Sequence, residues 1–149
     1  MNYLGKIVKR IFRVLEGNLI ALGFTRATGV EPPLGGLVYI KSDGTVDNCT
    51  SGTQFPIGYV TTLGSSSDKH DTGEVTVATC LSADLYAPAN GAVTTGTLLS
   101  PAGIVDGVCT YKTAVNGEYA SAIALDGGAD TETIRVGVLR TPVKLDPAV

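Results

Sequence analysis

Tryptophan is absent, histidine and methionine occur once each, and Phe and Tyr bring the aromatic fraction to only 6%. No apolar run nears the roughly 20 residues that a bilayer-crossing helix needs. The three cysteines, Cys49, Cys80 and Cys109, are odd in number, widely spaced and without a CxxC pair, which argues against a disulfide framework and a zinc site. Each sits among Val, Thr and Leu, so each is expected as a small buried apolar side chain. The GxSxG elbow, the Walker loop and HExxH are all missing,. His70 stands in the stretch SSSDKHDTG, beside Asp68 and Asp71 and close to Ser65, Ser66 and Ser67. Neighbours in one polar loop do not face one another as triad members must, so a solvated loop tip is expected there. Gly127-Gly128 precedes a strand and opens no helix, and neither Asp68 with Asp71 nor Asp126 with Asp130 has the alternating acidic spacing of an EF-hand,. No catalytic residue, cofactor or metal site is therefore assigned, and the chain is not expected to be an enzyme.

What the chain does contain is β-branched side chains and turn formers. Val, Ile and Thr number 42, with Gly 19 and Pro 7, a mixture that favours short strands joined by tight turns over a helical bundle. At 149 residues and 15.3 kDa the chain suits one domain with a small core,. An apolar fraction of 44% and a mean hydropathy of +0.23 argue against disorder,.

Charge is divided unevenly. Residues 1 to 30 carry Lys6, Lys9, Arg10, Arg13 and Arg26 against Glu16, a net +4, whereas the rest has six basic and thirteen acidic residues, a net −7. A basic head on an acidic body lets the head of one copy meet the body of another. Nucleic acid is not indicated, because the basic groups do not recur and no RNA-binding or zinc-finger motif accompanies them. On a helical wheel Leu4, Ile7, Val8, Ile11, Phe12, Val14 and Leu15 fall on one half and Lys6, Lys9, Arg10 and Arg13 on the other. That pattern predicts an amphipathic helix or arm over residues 1–24, with Gly17-Asn18 as a stop. Its apolar half can cover its own body, dock on a neighbouring subunit or, as a minor alternative to an absence of membrane contact, lie on a membrane surface. The basic interruptions and the absence of a small-residue cleavage site make it a poor secretion signal.

Residues 25–36, TRATGVEPPLGG, read as a Pro/Gly linker,. A β domain over 37–140 follows, with eight expected strands: 37–41, 45–48, 57–62, 74–81, 97–100, 108–111, 120–125 and 133–140. Turn dipeptides such as Asp43-Gly44, Asp106-Gly107 and Asn116-Gly117 punctuate it,. The fold class expected is mainly β, a small antiparallel sandwich or barrel with two similar four-strand halves. The halves align as residues 43–47 with 102–106 and 74–77 with 133–136, both 59 apart, and as 56–60 with 121–125 after a six-residue shift. Residues 141–149, with two prolines, form a tail that cannot continue a central strand. The tail is either a strap or a frayed end.

The run Gly96-Thr97-Leu98-Leu99-Ser100-Pro101-Ala102-Gly103, then Glu118-Tyr119-Ala120-Ser121-Ala122-Ile123-Ala124-Leu125-Asp126, then Thr133-Ile134-Arg135-Val136-Gly137-Val138-Leu139 resembles the tailed-phage capsid cement, or decoration, protein family. Residues 56–60 and 73–77 resemble a first appearance of the same pattern, so roughly 35–140 are covered; the thirty-residue head departs from it. The resemblance implies a virion protein on the capsid exterior, a homotrimer that bridges neighbouring major capsid proteins and stabilises the head. Contact candidates are Leu4, Lys6, Ile7, Lys9, Arg10, Ile11, Phe12, Arg13 and Leu15 in the head and Val143 and Leu145 in the tail. The alternative is another virion module: a head fibre base, a tail component or a receptor-binding component.

Overall fold

The computed structural model describes residues 20–63, 73–79 and 83–146. Ten strands run in chain order: β1 Ile20–Thr25, β2 Leu37–Ile40, β3 Val46–Asn48, β4 Gly58–Leu63, β5 Glu74–Thr79, β6 Ala83–Pro88, β7 Leu98–Val105, β8 Val108–Thr113, β9 Tyr119–Ala124 and β10 Thr133–Lys144. They form two five-stranded antiparallel sheets, ordered β1-β5-β4-β2-β3 and β6-β10-β9-β7-β8. All eight expected strands are present. The two additional strands, β1 and β6, make each half five-stranded instead of four-stranded.

Adding five to every strand number of the first order produces the second, so the halves are two copies of one topology. The centres of the ladders correspond pair for pair. Leu37 pairs with Tyr59 and Tyr59 with Ala78 in the first sheet, as Leu98 pairs with Ile123 and Ile123 with Gly137 in the second. Isolated parallel bridges also correspond, Arg26 to Val46 and Ala89 to Tyr111. Each bridge links the continuation of one edge strand to the other edge strand, so both sheets curl until their edges meet, which protects the unpaired edges. The amide of Gly35 donates to the Val60 carbonyl at 2.8 Å and that of Gly96 to the Ala124 carbonyl at 2.7 Å. Both glycines adopt positive φ, 77° and 84°, a backbone that L residues with a Cβ resist.

The ladders also refine the sequence alignment of the halves. The spacing of 59 holds for β5 and β10, where Glu74 faces Thr25 and Thr133 faces Pro88. In β4 and β9 the equivalent of Val60 is Ala124, a shift of five and not six, since Val60 faces Val77 and Ala124 faces Val136. The Asp43-Gly44 turn corresponds to Asp106-Gly107, not to Ala102-Gly103, because the β7–β8 hairpin is longer than β2–β3.

Strand alternation sends Val38, Val46, Val60, Val75 and Val77 to one face of the first sheet, where Phe24, Leu34 and Ile57 cover them. Leu37, Cys49, Tyr59 and Ala78 occupy the opposite face and join Leu85, Leu99, Cys109, Tyr111, Ile134, Val136 and others in a core shared with the second sheet. The first sheet is therefore buried on both faces. Cys49 and Cys109 are free and buried, as expected for apolar-like thiols; burial raises both, Cys109 to about 11. Cys80 lies outside the described residues.

Two boundaries shift. β1 starts at Ile20, inside the segment expected as arm, and is held by β5 along its whole length. At the other end β10 continues through Pro142 to Lys144, although two prolines had argued against a strand in the tail. The ladder is irregular between Val138 and Val143, and Pro142 sits in that interruption, where its missing N–H removes no ladder bond.

Gly58 permits the closest backbone approach in the first sheet, for a Cβ there would strike the Ala78 carbonyl oxygen. Gly23 has open space around the same atom. Gly58→Ala is expected to lower stability by about 1–3 kcal/mol through forced strand separation. Gly23→Ala should match the wild type or gain up to about 1 kcal/mol by restricting the unfolded chain. Urea melts of the two variants check this.

Candidate docking surfaces

The described residues hold little that could carry chemistry. No group of three or more His, Cys, Asp or Glu among them could hold a metal ion. A cavity of about 20 Å³ lies between the sheets, lined by Leu37, Tyr59, Ala78, Ser121, Val138 and Pro142 among others. Burial raises the Tyr59 hydroxyl to about 12, so it stays neutral and inert. The loop with Asp68, His70 and Asp71 lies outside the described residues, as do Leu4, Lys6, Ile7, Lys9, Arg10, Ile11, Phe12, Arg13 and Leu15. Surfaces are what the structure offers.

One surface forms where the end of β10 meets the β8–β9 connection. The amide of Leu145 donates to the Glu118 carbonyl at 2.8 Å and that of Gly117 to the Leu145 carbonyl at 2.6 Å. Residues 143–145 are thereby strapped to the body: Val143 is 51% exposed, while Leu145 is half-buried. Tyr119 stands edge-on to Phe55, with ring centres 5.2 Å apart at 88°, and the Lys144 ammonium lies 5.7 Å above the Tyr119 ring. Phe55 is 49% exposed. The sequence carried no signal for this aromatic pair, since Phe55 and Tyr119 are far apart in the chain and meet only through the fold.

Beneath this surface lies the one charged side chain among the described buried residues, Glu118. Its carboxylate accepts from Lys112 Nζ at 2.6 Å, Ser100 Oγ at 2.9 Å and the Val115 amide at 3.0 Å. Gly52 makes room for it, because a Cβ there would come within 2.8 Å of Glu118 Cβ and Cγ. Burial opposes ionisation, but the Lys112, Val115 and Ser100 hydrogen bonds outweigh it and hold the carboxyl below its usual range.

The second surface is the outer face of the second sheet. A row crosses it through Asp84, Gly137, Ile123 and Leu98, each the ladder partner of the next. Leu125, 37% exposed, lies one step along beside Arg135, whose carbonyl accepts from its amide at 2.8 Å. Arg135 grips Asp84 with two donors, Nε at 3.0 Å from Oδ1 and Nη2 at 2.8 Å from Oδ2. The charges on this face are thus paired, and Leu98, Ile123 and Leu125 form its apolar strip.

Because the folded pKa of Glu118 is depressed, its ionisation stabilises the fold above the unfolded value near 4.5, and that contribution is lost as pH falls through the lower folded value,. Glu118→Ala, which strands the buried Ser100 hydroxyl, should cost about 1–3 kcal/mol at neutral pH. It should also flatten the fall in melting temperature below pH 4.5 that is expected of the wild type,. Thermal melts of both proteins between acid and neutral pH provide the comparison.

No protein-family model matches the chain, and no curated protein matches it. Among solved structures it is similar to the head fiber gp8.5 N base of bacteriophage phi29, with a TM-score of 0.51 and 16% identity. The alignment covers 85% of this chain and 99% of that one. At this identity the likeness establishes a shared fold: the two-sheet architecture described above is also that of a phage head fibre base.

Proposed function

We propose that this chain is a structural module of a phage virion, attached to the outside of the head and serving as the base of a head fibre. The observation that carries this reading is the shared fold, which spans nearly the whole of the phi29 base. The inert interior agrees with it. Buried thiols, a neutral buried Tyr59 and a fully engaged Glu118 give the described residues a scaffold's chemistry. In this reading the partners are the major capsid protein and further copies of the chain, with a homotrimer as the assembled state, and no cofactor takes part.

The second reading is a cement protein that clamps adjoining capsomers. It is favoured by the motifs at 96–103, 118–126 and 133–139, which fall on β7, β9 and β10. The two readings differ in what they do to the shell. Cement adds contacts between capsomers and so raises the shell's resistance to heat, whereas a fibre base needs only its own attachment. The fibre-base reading is preferred because the fold match supports it directly.

Attachment in either case is assigned to the basic amphipathic segment ahead of β1. Burying several of its aliphatic side chains would contribute about 1.5–3 kcal/mol each before ordering costs, and several arms per assembly multiply the effect through avidity. The truncation that tests it must stop at Asn18, since β1 begins at Ile20 and pairs with β5. Full-length and truncated protein are added to tailed-phage heads assembled without it, and bound copies are counted. Full-length protein should bind and truncation should reduce occupancy at least tenfold. Failure of the full-length protein to bind overturns head attachment; undiminished occupancy overturns the arm. Heating the decorated heads separates the two roles, because an unchanged shell melting temperature supports the fibre base and a raised one supports cement.

A further inference from the structure

Two hydroxyls at the junction of the sheets stand without partners. Tyr59 and Ser121 are each 1% exposed, and the phenol oxygen of the first and Oγ of the second are buried with no hydrogen-bond partner among the described residues. A buried hydroxyl that has left water and gained no other bond costs the fold free energy, so native structures leave few of them unpaired. These two come from opposite sheets, Tyr59 from β4 and Ser121 from β9, and both residues line the same cavity of about 20 Å³.

The pairing of β9 with β10 explains why there is space at this point. Ala122 pairs with Val138 and Ala120 with Val143, so residues 139–142 of β10 stand opposite Ser121 alone. Extra residues on one strand bend it and break the ladder locally. Leu139, Arg140 and Pro142, from that irregular stretch, line the cavity together with Gly58 and Tyr59 at the start of β4. The irregularity that admits Pro142 to the strand therefore also sets a small polar chamber between the sheets.

We infer that one water molecule is bound in this chamber as a fixed part of the fold, bridging the Tyr59 hydroxyl to Ser121 Oγ and so tying the first sheet to the second. Size sets the ligand. A water requires roughly 10–15 Å³ of such space, so the chamber, at about 20 Å³, has room for one water and for no organic molecule. Chemistry agrees, because a hydroxyl both donates and accepts, and two hydroxyls supply the minimum of the roughly two to four polar partners that a buried water makes. Burial keeps the Tyr59 phenol protonated, and thus able to donate, throughout the neutral range. The inference is independent of head attachment and is tested on isolated protein.

The test compares full-length wild type, Tyr59→Phe, Ser121→Ala and the double variant by urea denaturation, alongside a high-resolution crystal structure of the wild type. The crystal should show one ordered oxygen within hydrogen-bond distance of both hydroxyls. Each single substitution removes a bond to the water and should raise the unfolding equilibrium constant about two- to tenfold. The double variant, with nothing left to bridge, should fall short of the product of the two effects. Hydroxyls that are merely unpaired give the opposite sign, since removing either one relieves a buried polar group. Unchanged or lowered constants in both single variants, effects that simply multiply, or no ordered oxygen in the crystal would each overturn the inference. Should a variant fail to fold, magnetisation transfer from water to the two hydroxyls, measured by NMR on the wild type, takes its place: a transfer at both supports the bridge, and none at either overturns it.

Discussion

Leu37, Tyr59 and Ala78 form the row on which the rest of the molecule depends, because through it two small curled sheets become one body. A five-stranded unit of this size buries too small a fraction of its surface to be comfortably stable alone. Its own interior offers valines: Val38, Val46, Val60, Val75 and Val77 on one face. Covering the other face of the same sheet with a second copy adds Leu37 and Tyr59 to the buried set, side chains worth about 1.5–3 kcal/mol each when fully removed from water. Duplication here solves a problem of surface to volume.

Most of the fold was legible in the sequence because most of the eight expected strands are rich in β-branched residues and several are separated by Asp-Gly or Asn-Gly turns. The two that were not legible are edge strands. β1, IALGFT, carries Gly23 and adjoins a helical pattern; β6, ADLYAP, opens with Ala-Asp and ends on Pro88. Their intrinsic preference for extended structure is weak, and tertiary pairing supplies what propensity does not. β1 is held by β5 over all six of its residues, and Asp84 of β6 is anchored by the two-donor grip of Arg135. Pro142 misled for a related reason. Its lack of an N–H forbids a regular central position, but the irregularity between Val138 and Val143 gives it a place in β10 where none is required,.

The surfaces were less legible than the strands. Val143 and Leu145 could be named from the tail, and the structure places the first on the surface and the second half-buried in a strap. Phe55 beside Tyr119, Glu118 under its three donors, and the Leu98, Ile123 and Leu125 strip all arise from residues brought together by pairing, and no local spacing announces them. The repeat was the exception. Once two segments of a chain share a ladder register, each copy states what its counterpart's environment should be, and a mismatch in exposure becomes visible.

The two copies have also diverged in the side chains they place at equivalent positions. Tyr59, sealed between the sheets, is replaced by Ile123; Ala78 by Gly137; and Thr76 by Arg135, which pairs with Asp84. The outer face of the second sheet thus combines half-buried leucine and isoleucine side chains with an ion pair at its border. Gly137 adds to this, for without a side chain it leaves a flat place over which Ile123 and Leu125 lean, their methyl groups 3.3 and 3.5 Å from where its Cβ would be.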